Sequence, residues 1–446
     1  LTNTSAHKIA ILGGGVSGIS AAKELMLANY PFVLFEATGE IGGRASRIFD
    51  KTSEEYLDNG QHLLSGAYDV FLNLLEYLGT STMVAKPKGL VVPYIDSIDG
   101  KVISAILDTT KAWGKAGTLK GLLEFALLSS RDKYSIIRLA LIISLGQAKT
   151  NDSETCTSFL KRYKQTERAI EVFWEPLILA VLNTPISRAS AVLLKRVCEL
   201  AFFAEKSKAS LLFPEAELTK LLSPITDMIK NQGSEIQLST KIKRVETNEK
   251  GVLLVMQDGN TMQFSHVISA LPPYTVNRAV DGFTIDNYQA SPITSIFIWT
   301  DKELISDNFT ALIGTRLQWI FNRTSILKIK HKISRFSYSF TVSASNELVK
   351  VKPEVLVSMV VDDLRKIAPD FTRDNIVHYR IVHEAMATFL ATPLYENTRR
   401  QIPLSIDDKV FLAGDWTNTG LPGTLESAAS SGQSAAQALI RSLGKN

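Results

Sequence analysis

Apolar runs separated by glycine turns open the chain and return at its end. Lys8 to Leu12 reads as a buried strand, and Ile19 to Leu27 continues at helical spacing after a glycine turn. Phe32 to Phe35 is a second short apolar run that stops at Glu36. From about 100 to 222 the pattern is mostly helical; Thr118 to Leu145 is rich in leucine and isoleucine but broken by basic and acidic residues. Alternation of period two then predicts strands at Glu235 to Leu238, Ile242 to Thr247, Val252 to Met256 and Thr261 to Phe264, with Asn248 to Gly251 and Asp258-Gly259 as turns. Val267 to Leu271 reads as a buried strand stopped by Pro272-Pro273. Further strands are expected at Ser295 to Trp299, Trp319 to Phe321 and Arg335 to Val342, and a helix near Pro353 to Ala368. The tail predicts a strand at Val410 to Ala413, then a helix from about Gly423 whose small residues (Ala428, Ala429, Ser431, Gly432, Ala435, Ala436) permit close packing.

The opening carries chemistry. Gly13 to Gly18 is a G-x-G-x-x-G turn between strand and helix, and Glu36 ends the next strand 18 residues after Gly18. That is the dinucleotide-binding pattern in its required context. Gly13 permits the tight turn. Gly15 lets the backbone approach a pyrophosphate at the helix N-terminus, and Gly18 lets helix and strand pack closely. Glu36 is placed to accept a ribose hydroxyl, and its charge disfavours a 2′-phosphate. Gly39 to Arg44 follows directly, with adjacent glycines for backbone contact and a guanidinium to neutralise a diphosphate.

Bulk properties narrow the class. A chain of 446 residues exceeds one ordinary core, so two domains are expected. Apolar content of 45% and charged content of 21% suit a soluble fold, and a net charge of +4 does not suggest nucleic acid. Two cysteines without a C-x-x-C fit a reducing compartment and argue against a disulfide framework or a zinc site; no metal is expected. With the first strand at Lys8 and no apolar run of spanning length, the expectation is a cytoplasmic protein, with a candidate peripheral contact on the inner membrane.

Glu36, Gly42-Gly43-Arg44 and the terminal Gly414-Asp415 together resemble the FAD-binding amine oxidase and phytoene desaturase superfamily. Four further segments resemble the hydroxysqualene dehydroxylase family within it: Leu57 to Leu64, Trp174 to Pro185, Ala387 to Pro393 and Phe411 to Pro422, with 311 to 321 similar to the same family's strand. The resemblance implies an α/β fold in which a Rossmann-like FAD-binding domain (7–95, 223–285 and 405–446) is interleaved with an α+β substrate domain (96–222 and 286–404) holding a mixed sheet and a helical region. The implied FAD ligands are Gly13, Gly15, Val16, Ser17, Gly18, Glu36, Ala37, Gly43, Arg44, Gly60, Gln61, His62, Val245, Gly414, Asp415, Thr424 and Leu425. Gly414-Asp415 closes the flavin site, Val245 meets the adenine through its backbone, and the amides opening the last helix face the flavin edge that becomes anionic on reduction.

The implied reaction is reductive dehydroxylation: hydroxysqualene loses its allylic hydroxyl and gains hydride from reduced FAD, giving squalene and water. Trp174, Trp319 and Phe321 are candidates for an aromatic wall around the cation. His62 is the candidate proton donor, with Gln61 beside it, and Glu175 a second acid. The alternative is a carotenoid or polyene desaturase on the same fold. A flavin amine oxidase is disfavoured because Gly420 to Gly423 holds no aromatic residue, and a flavin-free prenyl carrier would not need the full nucleotide set. A long-chain isoprenoid substrate is expected. Thr118 to Leu145 is the candidate membrane-contacting helix. With no second complete nucleotide fingerprint, NAD(P)H would act transiently or a separate reductase would serve.

Overall fold

The structure, a computed structural model, describes residues 9–87, 89–98, 101–111, 115–202 and 208–444. Lys8 lies outside them. The opening apolar runs pair as parallel strands: Ile9–Leu12 lies between Phe32–Phe35 and His266–Ser269. The sheet extends through Glu235–Gln237 on one side and Val410–Leu412 on the other, with Ser405–Ile406 as an antiparallel edge. Its six strands thus come from the start, middle and tail of the chain. Strands buried on both faces read as continuous apolar runs, as parallel sheets require.

Two helices cross each other over this sheet. Val16–Leu27 follows the glycine turn, and Leu425–Leu443 closes the chain. They approach backbone to backbone: a Cβ on Gly432 would lie 2.0 Å from the Ser17 carbonyl oxygen; within the opening turn, one on Gly18 would lie 1.9 Å from the Gly13 carbonyl oxygen. Ser20 Oγ donates to the Ala429 carbonyl, and Gln433 and Gln437 both donate to Glu24. The six small residues expected at this seam are buried.

A second sheet has seven strands in the order Ile376–Phe389, Ala290–Thr300, Phe336–Ser343, Trp319–Asn322, Phe309–Leu312, Val91–Ile98, Lys101–Asp108. It is mixed, because Phe309–Leu312 pairs parallel to Val91–Ile98 and the other pairs are antiparallel. Helix Pro353–Arg365 covers one face, burying Ile296, Ile298, Ile320, Tyr338 and Phe340. A three-stranded sheet (Ile242–Asn248, Gly251–Met256, Thr261–Phe264) stands apart.

The region expected to be mostly helical also supplies strands. Lys101–Asp108 and Leu211–Pro214 interrupt it, because their apolar residues pack on sheets. Thr118 to Leu145 is two helices rather than one: Lys115–Glu124 and Ser130–Ser144. The break falls at buried Phe125, Leu127 and Leu128, and Ser129 and Asp132 form a reciprocal capping box that starts the second helix.

Candidate flavin and substrate site

Two glycine loops meet at the N-terminus of helix Val16–Leu27. Gly42 N–H donates to the Gly14 carbonyl at 2.8 Å, and Gly15 bridges Gly42. Gly13 has φ +101° and Gly43 φ +58°, conformations that disfavour a side chain. A Cβ on Gly43 would come within 3.2 Å of Gly15 Cα. The result is a groove walled by bare backbone, opening on the free amides of a helix start where Val16 and Ser17 begin the first turn. A diphosphate fits this groove.

Glu36 is buried, and its carboxylate braces the loop: Oε2 accepts from Gly14 N–H, and Oε1 from the Thr38 amide and hydroxyl. A carboxylate has about four acceptor positions, so one remains for a ribose hydroxyl. Ala37 is exposed beside it. Val245 is buried in the three-stranded sheet, and its carbonyl accepts from Asp281 N–H.

Arg44 joins this groove to the tail. Its Nη2 donates to Asp415 Oδ1 at 2.5 Å, and its Nη1 to Asp415 Oδ2 at 3.1 Å and to the Ala387 carbonyl at 2.8 Å. Asp415 is 3% exposed. Gly414 before it has φ +146°, and a Cβ there would strike the Trp416 indole. Its N–H donates to Ser431 Oγ. Thr424 caps the last helix by accepting from Ser427 N–H, so Leu425 is its first helical residue. Glu426 accepts from Val70 and Phe71 N–H, tying the tail to helix Asp69–Tyr77.

Several structural roles had no reading in the sequence. Arg399, fully buried on helix Pro393–Gln401, donates to the carbonyls of Asp415, Trp416, Thr417 and Leu421 and pairs with Glu396. It fixes the loop before the last helix. The cue is Thr392-Pro393, an N-cap and first-turn proline that set where this helix starts. Asn183, left-handed at φ 45°, donates to the Ser291 carbonyl and Thr388 Oγ and accepts from Ala344 N–H, lashing the helical layer to three strands of the large sheet.

The segment after strand Glu55–Asp58 crosses the large sheet. Asn59 Nδ2 donates to Glu384 on the edge strand at 2.5 Å. A Cβ on Gly60 would lie 3.2 Å from Ser295 Oγ on the next strand. Leu64–Ser65 pairs with Leu211–Pro214, whose Phe213 packs on Phe309. Gln61 to Leu63 therefore span the strands between. His62 Nε2 is buried and unpartnered. Burial pushes its imidazole down to about 4, below the near-neutral value that made it the candidate proton donor. Asp58 moves the other way: burial raises its carboxyl to about 8, although Leu218 N–H pulls it down. Asp58 and Gln61 line one small internal space of about 10 Å³, with Glu217, Phe297 and Arg323.

The aromatic candidates divide. Trp319 and Phe321 share a sheet face with Phe309, which stacks on both, at 6.0 and 6.1 Å between ring centres. Trp174 lies in a helix; its Nε1 donates to Gln165 and its ring packs edge-on to Phe173. Glu175 follows it, half-buried, its carboxyl raised by burial and by Glu171.

The model of the family described as flavin containing amine oxidoreductase matches residues 16–440. A hydroxysqualene dehydroxylase of Zymomonas mobilis is 27% identical over 96% of this chain and 97% of its own. A 15-cis-phytoene desaturase of Capsicum annuum is 22% identical over 98% of this chain and 78% of its own. Among solved structures, cyclohexylamine oxidase from Brevibacterium oxydans superposes with a TM-score of 0.74 at 15% identity, covering 98% of this chain and all (100%) of that one. Wild-type putrescine oxidase bound to putrescine gives 0.70 at 15%, covering 98% and 99%. With that family's pattern running through nearly the whole chain, the chain belongs to the flavin-containing amine oxidoreductase family and is an FAD-dependent oxidoreductase.

Proposed function

We propose that the protein removes the hydroxyl of hydroxysqualene reductively, giving squalene and water. The observation that carries this reading is likeness over nearly the full length of both chains to proteins named hydroxysqualene dehydroxylase, at 25–27% identity. In this reading 7–95, 223–285 and 405–446 hold the coenzyme, and 96–222 and 286–404 hold the substrate. Gly13, Gly15, Gly43 and Arg44 take the diphosphate, Glu36 the ribose, and Gly414, Asp415 and the amides at Thr424 and Leu425 the flavin. FAD, reduced and bound there, supplies the hydride.

The chain's own residues do the rest. Phe309, Trp319 and Phe321 exclude water and present ring faces to positive charge on the polyene. The departing oxygen needs a proton. Burial raises the Asp58 carboxyl and lowers the His62 imidazole, which favours Asp58, beside Gln61, over His62 as the source. His62, uncharged, is a hydrogen-bond partner.

The test is anaerobic. The holoprotein is reduced chemically, hydroxysqualene is added, and flavin reoxidation is followed together with squalene. One squalene per flavin reoxidised is expected. Reduction of the oxidised flavin by a polyene, with no reaction of the alcohol, would make it a desaturase instead.

Such a substrate resides in membranes. No helix among the described residues is long and apolar enough to cross one. Helices Lys115–Glu124 and Ser130–Ser144, with the capping Leu145, instead expose Leu119, Leu123, Tyr134 (67%), Leu141 and Leu145 (59%). Arg131 flanks them, whereas Lys120 is engaged by Glu124, Lys133 by the Leu123 carbonyl and Arg138 by the Tyr163 carbonyl. This face rests on the bilayer in the proposed reading. Leu123→Ser/Leu141→Ser should lower flotation with anionic liposomes several-fold; unchanged flotation would remove the contact.

A further inference from the structure

Strand Phe336–Ser343 alternates strictly: Tyr338, Phe340 and Val342 point one way, Ser337, Ser339, Thr341 and Ser343 the other. On a sheet with one wet face, the hydroxyl side would meet water. Here the strand is internal to a seven-stranded sheet, and Ser337 and Ser339 are 0% exposed. The hydroxyl row faces inward, toward the segment that carries Gly60 and His62.

Cross-strand register widens the row into a patch. Thr341 is opposite Ser295 on one side and Trp319 on the other, and Ser339 is opposite Phe297 and Phe321. Ser295 Oγ, Ser339 Oγ, Thr341 Oγ1 and Trp319 Nε1 are all buried without a hydrogen-bond partner, as is His62 Nε2. Leaving such a group unpaired costs about 1–3 kcal/mol. Eight side-chain atoms are orphaned in this way among the described residues, and four of them share this one patch. Thr310, on the neighbouring strand Phe309–Leu312 and opposite Ile320, is the one such atom on the other face among the described residues of this sheet. Ser337, next along the row, shows the satisfied condition: its hydroxyl accepts from Arg323. The patch borders apolar rings, since Trp319 and Phe321 belong to the stack on Phe309.

We propose that Trp319, Thr341, Ser339 and Ser295 form a hydroxyl-binding surface that seats the alcohol oxygen of an otherwise apolar polyene beneath His62. The inference rests on the dehydroxylase reading and adds the residues that tell the alcohol from its hydrocarbon product. The indole N–H donates to the oxygen, and the Thr341 and Ser hydroxyls donate or accept as their rotation allows. Hydrocarbon in the same place leaves those groups unpaired, so the product is held less tightly than the substrate and is released.

The experiment measures binding to the oxidised holoprotein, where no turnover occurs, by flavin absorbance changes with hydroxysqualene and with squalene in the same detergent. Wild type should bind the alcohol at least tenfold more tightly. Thr341→Val/Ser339→Ala removes two hydroxyls and leaves the aromatic rings in place; its preference should fall below about twofold with squalene affinity unchanged. Thr341→Ser, which retains the hydroxyl, should keep the preference. The proposal is overturned if wild type shows no preference, if the double variant keeps it in full while holding its flavin, or if Thr341→Ser loses it as fully as the double variant does. A wild-type preference without flavin reoxidation in the anaerobic assay would sink the dehydroxylase reading and leave the hydroxyl-binding surface standing.

Discussion

The two ends of the site solve opposite problems. At the nucleotide end, side chains are absent where backbones must meet, and the polar groups present are engaged: Glu36 accepts three hydrogen bonds, Asp415 takes both arms of Arg44, and Ser431 accepts from Gly414 while donating to Ala428. At the sheet face, side chains are present and four of their polar atoms, on Ser295, Ser339, Thr341 and Trp319, are unengaged. The first region has its named side chains braced by the fold and leaves its backbone amides to the coenzyme. The second is left incomplete by the fold, which is what a surface kept for a substrate's own polar group requires.

The contrast can be broken hardest at the helix seam. Gly432→Val would place atoms 2.0 Å from the Ser17 carbonyl, against backbone that cannot turn aside. Overpacking of this kind costs about 3 kcal/mol or more. The expected outcome is a protein with lowered Tm that purifies without yellow colour. A variant with wild-type Tm and full flavin content would mean that the two helices are not held in this contact.

Acid and base probe the other region, because both strongly shifted groups of the 58–62 segment lie there. His62 titrates near 4 when folded and near 6.5 when unfolded. Between those values only the unfolded chain takes up the proton, so His62 costs nothing above pH 6.5 and progressively destabilises the fold as pH falls toward 4, by roughly 3 kcal/mol at most. Asp58 has the reverse sense. Its folded value near 8 lies above its ordinary 3.8, so the folded chain holds a proton that the unfolded chain has lost, and stability declines as pH rises from about 4 through 8. Denaturation midpoints should show His62→Phe gaining most over wild type at pH 4.5, and Asp58→Asn gaining most at pH 8. Differences that do not vary with pH would show that neither group is desolvated as described.

The same contrast explains what the sequence disclosed. Gly13, Gly18, Glu36 and Gly432 were legible because backbone-to-backbone approach admits only glycine and because turn, helix and acid fall at fixed spacing. The parallel strands were legible as unbroken apolar runs. Strand Ile376–Phe389 was not, since it lies at the sheet edge with mixed burial and its polar positions hide the alternation. Arg399 was not, since its partners are backbone carbonyls that no spacing encodes. The hydroxyl row could be seen in the alternation of 336–343, but its meaning depended on which face met water. The downward pull of burial on the His62 imidazole was not legible, since a motif does not report burial.

The finest comparison uses one methyl-sized change in each region. Ser431→Ala strands the Gly414 N–H, which the serine oxygen accepts at 2.8 Å in a fully packed seam. That change should lower stability by about 1–2 kcal/mol, the penalty for an orphaned buried donor. Ser339→Ala removes a hydroxyl that has no partner to strand, so the same deletion should be neutral or stabilising without substrate. Chemical denaturation of the two variants and wild type, at one pH and with flavin bound, gives the comparison directly. Equal losses would mean that Ser339 is partnered after all, by an ordered water that the fold retains, and the sheet face would then be as complete as the nucleotide end.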